Sequence, residues 1–196
     1  MLRLRLGILL AIGLLAVACG GGGGGGNGDP DVPITVTLRN DTYETGDPQA
    51  FVTTFGAGEA MGATLGPAPV VMTLDRIDFR WGPVGAIGNF TLRVHTDTGA
   101  DDPGSTLITI GRQLTPTADG WQTFDVSTAN ILLGVGQSVR FVVEFQSTLV
   151  VGPARDGDGT NTVGKNWIFS GGTWDPSSDS LVSGDWIVRG IGTFTP

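Results

Sequence analysis

Cysteine and histidine are all but missing: the 196 residues contain one of each. A single cysteine excludes an internal disulfide framework and any cysteine-cluster metal site. A single histidine excludes sites built from several imidazoles and leaves little for acid–base catalysis. Lysine occurs once and glutamate three times. Exposed helix faces rely on these two residues, so their scarcity argues against a helical protein. Basic residues number 11 against 19 acidic ones, for a net charge of -8. That balance excludes nucleic acid as a partner, because phosphate binding needs clustered Lys and Arg.

What is abundant points to strands. Threonine occurs 23 times, and there are 5 Trp and 9 Phe. Thr, Val, Ile and aromatic residues favour strands. No stretch sustains an apolar period of 3.6, whereas several alternate with period 2. Across Ser138 to Gln146, Val139, Phe141, Val143 and Phe145 share one face, with Arg140 and Glu144 on the other. Across Asn89 to Thr96, Phe90, Leu92 and Val94 alternate with Thr91, Arg93 and His95. Ile77, Phe79 and Trp81 give a third strand. Leu107 to Ile110, Trp121 to Val126, Asn166 to Phe169 and Trp186 to Ile191 are further strands, and Ile34 to Leu38 and Ala50 to Phe55 open the set. Turn sequences separate them, such as Gly46-Asp47-Pro48, Asp102-Pro103-Gly104 and Ser170-Gly171-Gly172. Short strands punctuated by Gly and Pro predict an all-β protein. The expected architecture is an antiparallel β-sandwich, jelly-roll-like, of about eight to ten strands.

The N-terminus has a different composition. Arg3 and Arg5 precede an apolar run from Leu6 to Val17. That run is shorter than the roughly 20 residues a membrane-spanning helix needs and matches a secretory signal. It ends at Ala16-Val17-Ala18-Cys19, where the lone cysteine stands. This segment resembles the lipobox of bacterial lipoproteins, although that family prefers Leu where Ala16 stands. The resemblance implies cleavage before Cys19, diacylglyceryl attachment to its thiol and a membrane anchor. An ordinary secretory signal cut after Ala18 is the plainer alternative. Gly20, rather than Asp, follows the cysteine. By analogy with enterobacterial lipoproteins this favours the outer membrane over inner-membrane retention, placing the protein in the bacterial cell envelope.

Residues Gly20 to Gly26 are all glycine. Glycine loses the most entropy on ordering, so the run reads as a flexible tether. It is no phosphate-binding loop, since no strand precedes it and no Lys-Ser or Lys-Thr closes it. The expected organisation is therefore a signal over 1–18, a lipidated cysteine and tether over 19–33, and one β-sandwich domain over 34–196.

The body carries a second resemblance. Its pieces are Phe90-Thr91-Leu92-Arg93-Val94, Gly120-Trp121-Gln122-Thr123-Phe124-Asp125-Val126, Phe141-Val142-Val143-Glu144-Phe145, Asn166-Trp167-Ile168-Phe169-Ser170-Gly171-Gly172-Thr173-Trp174 and Asp185-Trp186-Ile187-Val188-Arg189-Gly190. This order is similar to a β-sandwich module of bacterial secreted and cell-surface proteins, often an accessory to peptidase or sorting domains. The resemblance implies a jelly-roll-like fold and surface display, and transfers no catalytic residue.

Three polar or aromatic groups are candidate sites. Asp156-Gly157-Asp158-Gly159-Thr160-Asn161 alternates oxygen ligands with glycines, as Ca²⁺ loops do. Asp156, Asp158 and Asn161 are its candidate ligands, for a structural Ca²⁺. Trp167 occupies the twelfth position, where an EF-hand needs Glu, so a solvated glycine-rich turn is the alternative. Asp97, Asp101 and Asp102 form a second acidic loop with the same two readings. Trp167 and Trp174 flank a Gly-Gly turn and offer a stacking platform for a glycan, the alternative being core packing. His95 reads as a surface side chain, because no nucleophile-elbow motif accompanies it. The acidic residues permit a glycosidase pair on paper, but spacing selects none. The expected function is a lipid-anchored envelope protein without catalytic cofactors, in a binding, adhesion or structural role. Its partner would be a glycan or another envelope protein. A carbohydrate-binding module is the sharper variant, and a hydrolase the remaining one.

Overall fold

The computed structural model describes residues 32–52, 55–82, 88–114, 120–147 and 152–196. The signal, Cys19 and nearly all of the tether lie outside the described residues. The described chain is all-β, with two short 3-10 turns and no helix long and apolar enough to cross a membrane.

Two antiparallel sheets enclose the core. One contains β1 (Ile34–Arg39), β13 (Val188–Phe194), β4 (Met72–Arg80) and β7 (Trp121–Asp125) in that order, with β8 (Ile131–Leu133) also paired to β4. The second has six strands in the order β12 (Thr173–Pro176), β11 (Asn166–Ser170), β3 (Ala60–Leu65), β9 (Val139–Phe145), β5 (Gly88–Thr96) and β6 (Thr106–Leu114). A ribbon of β2 (Gln49–Phe51) and β10 (Ala154–Asp156) stands beside them. Successive strands pass repeatedly between the two sheets, as in a jelly roll.

Alternation explains the layering. Phe141, Val143 and Phe145 of β9, Phe90, Leu92 and Val94 of β5, and Ile77 and Phe79 of β4 all point inward and are almost fully buried. Phe79 stacks on Phe124 with centroids 5.3 Å apart, and Trp81 on Phe90 at 5.4 Å. Full burial of each such side chain contributes about 1.5–3 kcal/mol.

Among the described residues there are thirteen strands rather than eight to ten. β3 had no alternating signature because all six of its residues are buried. The others missed were β8, β10 and β12, each of three or four residues. β2 stops at Phe51, short of the expected Phe55, and β13 runs Val188–Phe194 rather than from Trp186.

Candidate functional site

The outer face of the six-stranded sheet gathers the chemistry. On β5 and β9 this face carries Arg93, His95, Arg140, Val142 and Glu144, the residues that alternate with the core. On β11 and β12 it carries Trp167, Phe169 and Trp174, with Phe169 directly opposite Trp174 in register. Between them, β3 presents Ala60, Gly62 and Thr64.

Small residues on β3 give the aromatics room. A Cβ on Gly62 would stand 3.0 Å from Cζ3 of Trp174 and 3.2 Å from Cβ of Trp167. The Trp174 ring therefore lies over the sheet where a side chain is missing. Phe169 packs against it with centroids 5.4 Å apart.

A groove of about 260 Å³ opens beside this aromatic pair. Phe169 and Trp174 line it on one side, and Arg93, His95 and Glu144 on the other. Ala60 and Val142 belong to its floor strands, and Gly58 and Pro103 come from flanking loops. Arg93 and Glu144 form an ion pair across β5 and β9, and Gln146 also donates to Glu144 at 2.9 Å. Burial works against the Glu144 charge, but Arg93 and Gln146 hold its carboxyl below the usual range. Glu144 is the only carboxylate among the groove's described lining residues.

His95 is buried, contrary to its expected surface position. The loop after β5 folds back over it, and its Nδ1 lies 3.1 Å from the carbonyl oxygen of Gly104. A carbonyl only accepts, so Nδ1 carries the proton. Nε2, without a protein partner among the described residues, then offers a lone pair. Burial, with the nearby charges of Arg93 and Arg140, lowers the His95 pKa and favours the neutral ring.

The same loop explains the acidic cluster Asp97, Asp101 and Asp102. Arg140, whose side chain is fully buried, pairs with Asp97 at 3.1 Å and donates to the carbonyl of Ala100 at 2.8 Å. It also donates to the Asp101 carbonyl. Its guanidinium lies 4.2 Å from the centroid of the Trp167 ring. Trp167 is thus covered by Arg140, whereas Trp174 stays partly exposed and reaches the groove. Of the two predicted platform residues, only Trp174 lines it. The other carboxylate oxygen of Asp97 accepts from Thr64 at 2.5 Å.

The Asp156 loop lies elsewhere, off the groove. Buried Asp156 accepts from the backbone N–H of Asp185 at 2.8 Å and of Thr42 at 3.4 Å. Burial, and the charges of Asp158 and Asp185, push its carboxyl up to about 6. Asp158 accepts instead from the backbone and hydroxyl of Thr160, 2.8 and 2.7 Å away. Asn161 donates to the carbonyl of Val182 at 3.0 Å. Among the described residues, no group of three or more His, Cys, Asp or Glu side chains is placed to hold a metal ion.

Period-2 alternation places Arg93, Arg140 and Glu144 on the polar faces of their strands, but it does not show that they converge with Trp174. Phe169 and Pro103 carry only strand and turn signals, and Gly62 carries none.

No family model matches the chain, and no curated protein does. A solved structure does: the cysteine protease and lectin-like domains of Cwp84, a surface layer associated protein of Clostridium difficile. The TM-score is 0.51 at 12% identity, over 83% of this chain and 36% of that one. The chain thus spans about a third of that structure's length, and the likeness is one of fold. A second match, to infectious bursal disease virus Gx strain, has a TM-score of 0.30 at 15% identity.

Proposed function

We propose that this protein is a non-catalytic binding module, held to the bacterial envelope through Cys19, that takes a saccharide on the outer face of its six-stranded sheet. The observation carrying this reading is the groove between Trp174 and the Arg93–His95–Glu144 group. A sugar presents an apolar C–H face and a rim of hydroxyls. A partly exposed indole over the sheet suits the first. A neutral imidazole, a guanidinium and a carboxylate suit the second, as acceptor, donor and acceptor. At about 260 Å³ the groove falls just below the roughly 300–1,000 Å³ of drug-sized pockets, which fits the end of a glycan chain.

Two observations support a binding role over hydrolysis. A glycosidase uses a pair of carboxyl groups, and Glu144 stands without a second among the described lining residues. A thiol nucleophile has no residue to supply it between Gly20 and Pro196. The lectin-like domain named with the Cwp84 structure is compatible with this reading. The test is a glycan array probed with the native chain and with Trp174→Ala. The native chain is expected to bind at least one glycan class, and the variant to lose it. A blank array for the native chain refutes the proposal.

A further inference from the structure

Exposed apolar side chains are concentrated at one end of the sandwich. Strand register places that end in the β1–β13–β4–β8 sheet. Ile34 pairs with Phe194, Thr193 with Thr73, and Met72 with Leu133. Val32, Ile34, Val71, Leu132 and Val135 belong to this end and are 46–68% exposed. In the facing sheet, the same end is marked by Thr96 opposite Val139 and Val139 opposite Leu65. A cavity of about 820 Å³ bridges the two sheets there, lined by Leu132 and Leu133 on one side and Thr96, Val139 and Gly164 on the other. Val163, beside Gly164, is 97% exposed, and Leu107 also lines the cavity at 41% exposure.

This end is poor in charge, although Asp97 lines the cavity and Lys165 donates to the Gly66 carbonyl. Residues 32–38, 60–74, 126–139 and 161–164 contain no Asp, Glu, Lys, Arg or His, in a chain of net charge -8. The opposite end of the same sheet holds a cluster in which Arg39 and Arg189 meet Asp41 at 3.3 and 3.1 Å, with Glu44 on Arg39.

The first described strand, β1, begins at this end. Cys19 stands 13 residues before Val32. The glycine-rich sequence between them leads us to expect a coil, for which 13 residues would give a reach of roughly 20 Å. We propose that the tether-side end of the sandwich rests on a lipid surface, with Val32, Val71, Leu132, Val135 and Val163 entering the headgroup boundary. This rests on the reading of Cys19 as the lipidated residue. An anchor keeps this apolar end at high effective concentration over the bilayer, where partly exposed apolar side chains gain by leaving water. The acidic body disfavours anionic lipid, so the fitting surface is a zwitterionic one. The saccharide groove runs along the outer face of the six-stranded sheet, from Gly58, Phe169 and Glu144 at the far end to His95 and Pro103 beside Thr96.

The experiment uses the full chain from acylating cells, reconstituted into phosphatidylcholine vesicles with and without brominated acyl chains. An environment-sensitive maleimide dye is placed at Val135→Cys or, as the far-end control, at Thr173→Cys in the β11–β12 hairpin. Both positions are exposed. The expected result is a blue shift and bromolipid quenching at position 135, and neither at position 173. Flotation and the mass of the mature N-terminus read the anchor separately. A chain that floats with position 135 unquenched overturns the lipid contact alone. A chain that stays in solution with unmodified Cys19 overturns the anchor and the contact together. A blue shift that depends on protein concentration and not on lipid assigns the face to a second copy, and also overturns the proposal.

Discussion

Arg140 is the residue on which the site's architecture most depends. It lies within a sheet strand, yet its guanidinium serves the loop that follows β5. It neutralises Asp97, satisfies two loop carbonyls and covers Trp167. Removing one partner of a buried pair leaves the other charge uncompensated. Arg140→Ala should therefore lose about 3–5 kcal/mol of stability, read from chemical denaturation. Asp156 makes a pH-dependent contribution of the opposite kind. Burial raises its folded pKa from 3.8 to about 6, so the folded state holds a proton that the unfolded state releases. Between those values, stability from this group rises as pH falls, and above about 6 the buried charge is a full penalty. Asp156→Asn removes that titration. Thermal melts should show the native chain gaining on the variant as pH falls from neutral through about 6. A constant difference between the two would show that Asp156 does not titrate in this window.

β3 is the element that makes the groove. It is the central strand between the aromatic and the charged halves of the face, and its outward residues are Ala60, Gly62 and Thr64. A larger side chain at Gly62 has no space beneath the indole, because even a Cβ meets Cζ3 of Trp174 at 3.0 Å. Gly62→Val should lift Trp174 off the sheet and weaken saccharide binding more than it lowers the melting temperature. Titration and thermal melts on the same sample separate the two effects. This strand also marks the limit of what sequence reveals. β9, β5 and β4 were legible because one face packs inside and the other carries polar residues. β3 is buried on both faces, inside by the core and outside by Trp167 and Trp174, so its composition reads as a featureless run of small and apolar residues. The acidic loop was visible as acidic residues, but its role was not. Its partner, Arg140, is more than forty residues away and reaches it only through the pairing of β5 with β9. His95 was misplaced for a similar reason, because the chain that covers it returns from the following loop.

At the scale of the whole molecule the two sheets share one core but have unlike surroundings. One end of the first sheet carries exposed apolar side chains and the start of β1; the opposite end of the same sheet carries the Arg39–Arg189–Asp41 cluster. The six-stranded sheet carries its groove on its outer face. The most direct measurement is calorimetric titration of an array-selected glycan into the native chain, Trp174→Ala and Leu132→Ser. The account predicts that Trp174→Ala weakens binding roughly tenfold or more, at least about 1.4 kcal/mol, while Leu132→Ser binds as the native chain does. Equal affinity for the native chain and Trp174→Ala would contradict it, as would a loss confined to Leu132→Ser.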